Sequence, residues 1–221
     1  MQRKILMFLI ILLFSLTSAS FAQEPSAQEY WKQFMDRLDT IETIYFRKIV
    51  KIVIEDNNEM ADQQSSASVW WTGKKYKMES NMNSESGWNA ILIVRPEGNF
   101  MKETGSDIFK YIGRPELPSL RDLLISMFPG GEEENATFKC LGKETIDNEE
   151  ITVIERTTPY AKTSYIDTYW ISDKRKLPVK HTNRWAHSKG MYTVIEFKDY
   201  GFDSISDSLF DVGDDWVDEG R

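Results

Sequence analysis

The sequence predicts a mainly β protein of the α+β class, a curved antiparallel sheet with helices lying over one concave face. Three observations predict it. Apolar and polar residues alternate along some ten short segments, about the number expected of one large sheet. Gly, Pro, Asn and Asp cluster between those segments at hairpin spacing. Only two stretches beyond the N-terminal leader carry the helical period, one before the strands and one among them. An antiparallel sheet of this length must curl, close or split into two layers.

Residues 1–22 read as an export signal. Arg3 and Lys4 form a positive start, Ile5 to Leu16 is apolar apart from Ser15, and Ser20-Phe21-Ala22 offers small residues for cleavage after Ala22. The apolar run is too short for a membrane-spanning helix. Without Arg3 and Lys4, 25 basic residues face 35 acidic ones, a net charge of −10 against −8 for the whole chain. The mature chain, 23–221, is expected to be one soluble domain outside the cytoplasm.

Ser26 with Glu29 three residues on forms a capping box. Tyr30, Phe34, Leu38 and Ile41 then make one apolar stripe, so a helix is expected to end near Asp39-Thr40 or Glu42-Thr43. From Thr43 the period becomes two, and Tyr45 to Ile54 is a long β-branched strand. Ser68–Trp71 and Tyr76–Glu79 flank Thr72-Gly73-Lys74-Lys75 as a hairpin, followed by strands at Ala90–Val94, Phe100–Lys102 and Ile108–Ile112. Pro118-Ser119 opens a second helix whose face is Leu120, Leu123, Leu124, Met127 and Phe128, and Pro129-Gly130-Gly131 stops it. A meander is expected over Ala136–Leu141, Ile151–Arg156, Tyr165–Ser172, Val179–Trp185 and Met191–Tyr200. The last stretch, Asp211 to Glu219, holds five acids and reads as a solvated tail.

The chemistry available is sparse. The acidic balance argues against nucleic acid as a partner. One cysteine and two histidines leave little for a disulfide framework or a metal centre, and no catalytic motif or cofactor-binding loop is present. Cys140 is expected to be a small buried apolar side chain, His181 a strand residue and His187 a hairpin residue. The positive signal is aromatic: seven tryptophans, all beyond the leader. Trp70 and Trp71 must face opposite sides of a strand, as must Tyr169 and Trp170. With flexible methionines such as Met35 and Met78, the group suits a sheet wrapped around something bulky and apolar.

The order of these elements resembles a family. A helix and long strand are followed by the hairpin Val69-Trp70-Trp71-Thr72-Gly73-Lys74-Lys75-Tyr76-Lys77-Met78-Glu79, then Ile91-Leu92-Ile93-Val94-Arg95-Pro96-Glu97-Gly98-Asn99-Phe100 and the helix from Ser119. Trp170 to Lys180 and Asp207-Ser208-Leu209-Phe210-Asp211-Val212 complete the pattern. Over roughly 28–216 the chain resembles the periplasmic outer-membrane lipoprotein-sorting proteins, the LolA/LolB-like group. The resemblance implies an unclosed half-barrel with helices lidding its apolar concave face, and a carrier that shields acyl chains of lipids or lipoproteins on the way to the outer membrane. Its partners would be that cargo and an inner- or outer-membrane protein complex. The residues expected to line the cavity are Trp70, Met78, Ile91, Ile93, Leu120, Leu124, Phe128 and Trp170. Arg47 matches the position of an arginine that helps hold the lid. No catalytic residue, metal ligand or cofactor is expected. Two other readings remain open, an interaction module with a filled core that docks through its acidic surface, and an unrecognised hydrolase.

Overall fold

A computed structural model describes residues 25–54, 60–83, 89–103, 105–125, 135–187 and 190–218. The leader over 1–22 and the expected cavity residue Phe128 lie outside them. Helix α1 spans Ala27–Asp39, and helix α2 Leu120–Leu124. The strands before α2 are β1 (Thr43–Ile54), β2 (Met60–Thr72), β3 (Lys75–Asn83), β4 (Asn89–Arg95), β5 (Gly98–Glu103) and β6 (Lys110–Gly113). Those after it are β7 (Thr137–Ile146), β8 (Glu149–Tyr160), β9 (Thr163–Ser172), β10 (Pro178–Trp185), β11 (Met191–Gly201) and β12 (Val217–Asp218).

All twelve strands form one sheet in the order β12-β6-β5-β4-β3-β2-β1-β11-β10-β9-β8-β7. Each half is an antiparallel meander, and the halves join where β1 pairs with β11. The mixed character comes from β12 alone, which runs parallel to β6. The ends of the order, β12 and β7, are not paired with each other among the described residues, so the sheet curls without closing. The predicted fold class is the observed one.

Local chemistry explains the helices. Ser26 Oγ accepts from the Glu29 amide at 3.2 Å, while the Ser26 amide donates to Glu29 Oε2 at 2.8 Å. Ser119 and Asp122 repeat this box at the start of α2. Neither helix is long enough to be stable alone in water. α1 is held by Tyr30, Trp31, Phe34 and Leu38, all buried against the sheet. At roughly 1.5–3 kcal/mol for each large apolar side chain, that burial outweighs the capping terms. The β7–β8 hairpin turns through Asp147 and Asn148 at φ +51° and +62°, a left-handed pair suited to the strand twist. Gly98 opens β5 beneath Tyr111, whose ring a Cβ at this position would strike.

Two expectations fail here. Cys140 is exposed, because it lies on β7, an edge strand bulged between Cys140 and Gly142, where nearly every residue meets solvent. The C-terminal segment is not a free tail. Phe210 and Val212 are buried, Trp216 packs 5.5 Å from Phe100, and Val217 donates its amide to Phe109 O at 2.9 Å. Asp211, Asp214, Asp215 and Asp218 stay exposed while Phe210, Val212 and Trp216 strap the segment to the sheet.

Candidate functional site

Strand alternation sorts the apolar residues into two clusters on opposite faces. The larger lies under the helices and joins Phe46, Val69, Tyr76, Val94, Tyr169 and Phe197 to the buried faces of α1 and α2. Trp71, Met78, Leu92 and Val50 pack against it while staying half-buried. The smaller cluster, on the other face, joins Ile93, Phe100 and Phe109 to Phe210 and Val212 of the C-terminal strap, with Trp70 and Ile91 at its margin.

The sheet therefore divides the expected cavity residues. Met78, Leu120 and Leu124 come together on the helix side. Trp70, Ile91 and Ile93 lie beneath the C-terminal strap. Trp170 shares neither place: its indole Nε1 donates to Glu144 Oε2 at 3.2 Å, and Lys180 Nζ sits 4.3 Å over its ring. Trp70 and Trp71 part as expected, as do Trp170 and fully buried Tyr169. Arg47 needs correcting as the lid contact. Its parity puts it opposite Phe46, on the face away from the helices, where it is exposed and 3.8 Å from Asp199.

α2 is fastened to the sheet at both ends. Trp71 Nε1 donates to Pro118 O at 3.0 Å before the helix, and Tyr169 Oη donates to Ile125 O at 3.1 Å after it. Between them Leu120 and Leu124 are buried. Arg121 adds a two-pronged ion pair to Asp39 of α1, its Nε at 2.9 Å from the carboxylate. α1 is fastened in turn where Tyr30 Oη donates to Asp173, which also accepts from Thr152 at 2.6 Å.

On the helix side of the sheet, beside Tyr169, lies a buried polar group. The Asp167 carboxylate, 4% exposed, accepts from Asn183 at 2.8 Å and Arg156 at 2.9 Å and meets His181 Nε2 at 3.0 Å. Burial works to raise the Asp167 carboxyl, but the bond to His181 and the charge of Arg156 prevail and hold it below the usual carboxylate range. The His181 ring stacks on Tyr169 at 4.3 Å and is 1% exposed. With Nε2 committed to Asp167 and no path to solvent, it is a packing element and not an accessible base. Among the described residues no three His, Cys, Asp or Glu side chains are placed to hold a metal ion.

A groove of about 500 Å³ opens between α1 and the β7 edge. Trp31, Met35, Ala136 and Phe138 form its apolar wall, with Lys32, Arg121 and Arg156 around it. Trp31 lies 5.4 Å from Phe138, and the Arg156 guanidinium 5.2 Å over the Trp31 ring. The volume is within the roughly 300–1,000 Å³ typical of small-ligand sites. Two other hollows, of about 480 and 580 Å³, are walled largely by hydroxyls, amides and charges. Arg121, Phe138 and Arg156 had not been singled out as site residues. Trp31 and Met35, four apart beside the Phe34 column, were a legible signal of a second apolar stripe on α1.

This arrangement, an unclosed curled sheet with two helices over one apolar face, is a half-barrel. No protein family matches the sequence. No curated protein matches it either. Among solved structures, Mycobacterium tuberculosis lipoprotein LppX superposes with a TM-score of 0.50 at 16% identity, over 80% of this chain and 95% of that one. A LolA superfamily protein from Nitrosomonas europaea matches at 14% identity over 85% and 98% of the two chains, with a TM-score of 0.36. MucB in the Pseudomonas aeruginosa MucA/MucB complex matches at 11% identity over 82% and 60%, with a TM-score of 0.45. The likeness rests on LppX and is one of fold.

Proposed function

We propose that the chain is a soluble periplasmic carrier or chaperone, a single domain over 23–221 exported by its leader, that shields acyl chains of lipids or lipoproteins between α1, α2 and the sheet. The observation that carries this reading is the half-buried apolar lining on the helix side. Val50, Trp71, Met78, Leu92 and Leu123 touch the core yet keep exposure that a filled core would remove. Met78, Leu120 and Leu124 are assigned to that lining, and the Trp31–Met35–Phe138 groove is its opening at the β7 edge. Each methylene removed from water is worth about 0.8 kcal/mol, so a dozen carbons gross on the order of 10 kcal/mol. The fastenings of α2 are few and exchangeable, so the helix can trade its own burial for that of cargo and later release it. A membrane complex at either end of the route is the expected partner. Among the described residues no helix is long and apolar enough to cross a membrane.

The test is mass spectrometry of organic extracts from the purified protein, paired with uptake of a fluorescent acyl lipid by the wild type and Leu124→Asp. Acyl species in the extract, and uptake lost in the variant with the sheet's circular dichroism intact, are expected. An empty extract together with no uptake by the wild type contradicts carriage and favours the filled-core interaction module.

A further inference from the structure

The first long strand carries three cations close together, and the sheet sorts them. Arg47 and Lys51 point away from the helices, and each faces a carboxylate of β11, Asp199 at 3.8 Å and Glu196 at 2.7 Å. Lys48, one residue out of phase, points to the helix side. Phe46 and Val50 flank it along β1, both in or against the large apolar cluster. Phe197 stands opposite it on β11 and Ala67 on β2.

Lys48 is half-buried in these surroundings, and no carboxylate among the described residues pairs with it. Burial pushes its ammonium below the ordinary lysine range, with no neighbouring charge acting to restore it. Arg156, another cation on this face, is matched by Asp167. Lysines near a surface usually extend their charge into water along an apolar stem. A charge left in apolar surroundings without a partner is unfavourable unless something supplies the opposite charge.

We propose that Lys48 is the anchoring site for the anionic end of an acyl ligand, so that the protein selects amphiphiles carrying one carboxylate or phosphate over neutral ones. This rests on the carrier reading and adds the ligand class to it. The ligand's anion becomes the missing counter-charge, and its chain runs over Val50 and the neighbouring half-buried residues. In a site shielded from water such a charge-assisted bond is stronger than an exposed one.

The experiment measures binding below the micellar range for two matched pairs, oleate against oleyl alcohol and lysophosphatidate against monoolein, with wild type, Lys48→Met and Lys48→Arg. Wild type is expected to prefer the anionic member of at least one pair by about tenfold. Lys48→Met should remove that preference while leaving the neutral member's affinity unchanged, and Lys48→Arg should keep it. The pair that shows the effect identifies the head as carboxylate or phosphate. Equal affinity within both pairs overturns the proposal while leaving carriage standing, as does a Lys48→Met variant that weakens neutral and anionic members alike. Binding of none of the four ligands overturns carriage, and this site with it.

Discussion

On the carrier reading, the two hydrogen bonds that tie α2 to the sheet help set how readily the concave face opens. Trp71→Phe removes the indole donor to Pro118 O, and Tyr169→Phe removes the hydroxyl donor to Ile125 O, each leaving an aromatic ring in place. A hydrogen bond of this kind contributes about 1 kcal/mol net, so the double variant should weaken α2 docking by about 2 kcal/mol. That is roughly a 30-fold larger open population. Burial of Leu120, Leu124 and Ile125 is untouched, and at about 1.5–3 kcal/mol each it keeps α2 docked most of the time. Amide hydrogen exchange reads the change directly at Leu123 and Ile125, whose amides donate to Ser119 O at 3.2 Å and Arg121 O at 2.8 Å. Exchange there should rise by about that factor while β1 and β9 amides change little, and acyl-lipid uptake should quicken. Unchanged exchange at α2, or an equal rise across the whole sheet, refutes the view that these bonds fasten a separately opening lid.

Three further outcomes are expected. Asp167→Asn should cost about 3–5 kcal/mol at neutral pH in denaturant unfolding, because the buried carboxylate that Arg156, His181 and Asn183 share is removed. The Asp167 carboxyl lies below its unfolded value when folded, so its contribution is present above about pH 4 and fades as pH falls through the lower folded value. The variant's stability should therefore decline less in acid, and a decline as steep as the wild type's would contradict that origin. Arg47→Ala should change stability by less than about 1 kcal/mol and leave uptake unaltered, since its pair with Asp199 is exposed and on the far face; lost uptake would restore it as a lid contact. Ile93→Ala should lower the unfolding midpoint by about 2–5 kcal/mol equivalent without altering acyl affinity, because Ile93 is packed beneath the C-terminal strap.

Much of the fold was legible because it is written in local chemistry. One capping box at Ser26 and the Pro118-Ser119 start marked the helices, and period-two alternation marked the strands, including the opposed pairs Trp70/Trp71 and Tyr169/Trp170. The candidate site was less legible. Alternation says which residues share a face, but not which face the helices cover, and around β4 both faces are apolar because the C-terminal strap covers the second. Ile91 and Ile93 were therefore grouped with Met78, although the sheet stands between them. The same one-residue ambiguity put Arg47 on the helix side, although its parity is opposite to that of Phe46. Cys140 lost its expected burial to topology, since nothing in Phe138-Lys139-Cys140-Leu141 states that this strand ends the sheet. β12 is only two residues within an acidic run and has no periodic signature at all.

The most direct measurement is indole NMR of the protein titrated with a spin-labelled fatty acid. An acyl chain held between the helices and the concave face should broaden the Nε1–H signals of Trp31 and Trp71 and spare those of Trp170 and Trp216. Broadening of Trp170 and Trp216 instead, or no selective broadening at saturating ligand, contradicts placement of the hydrocarbon beneath α1 and α2.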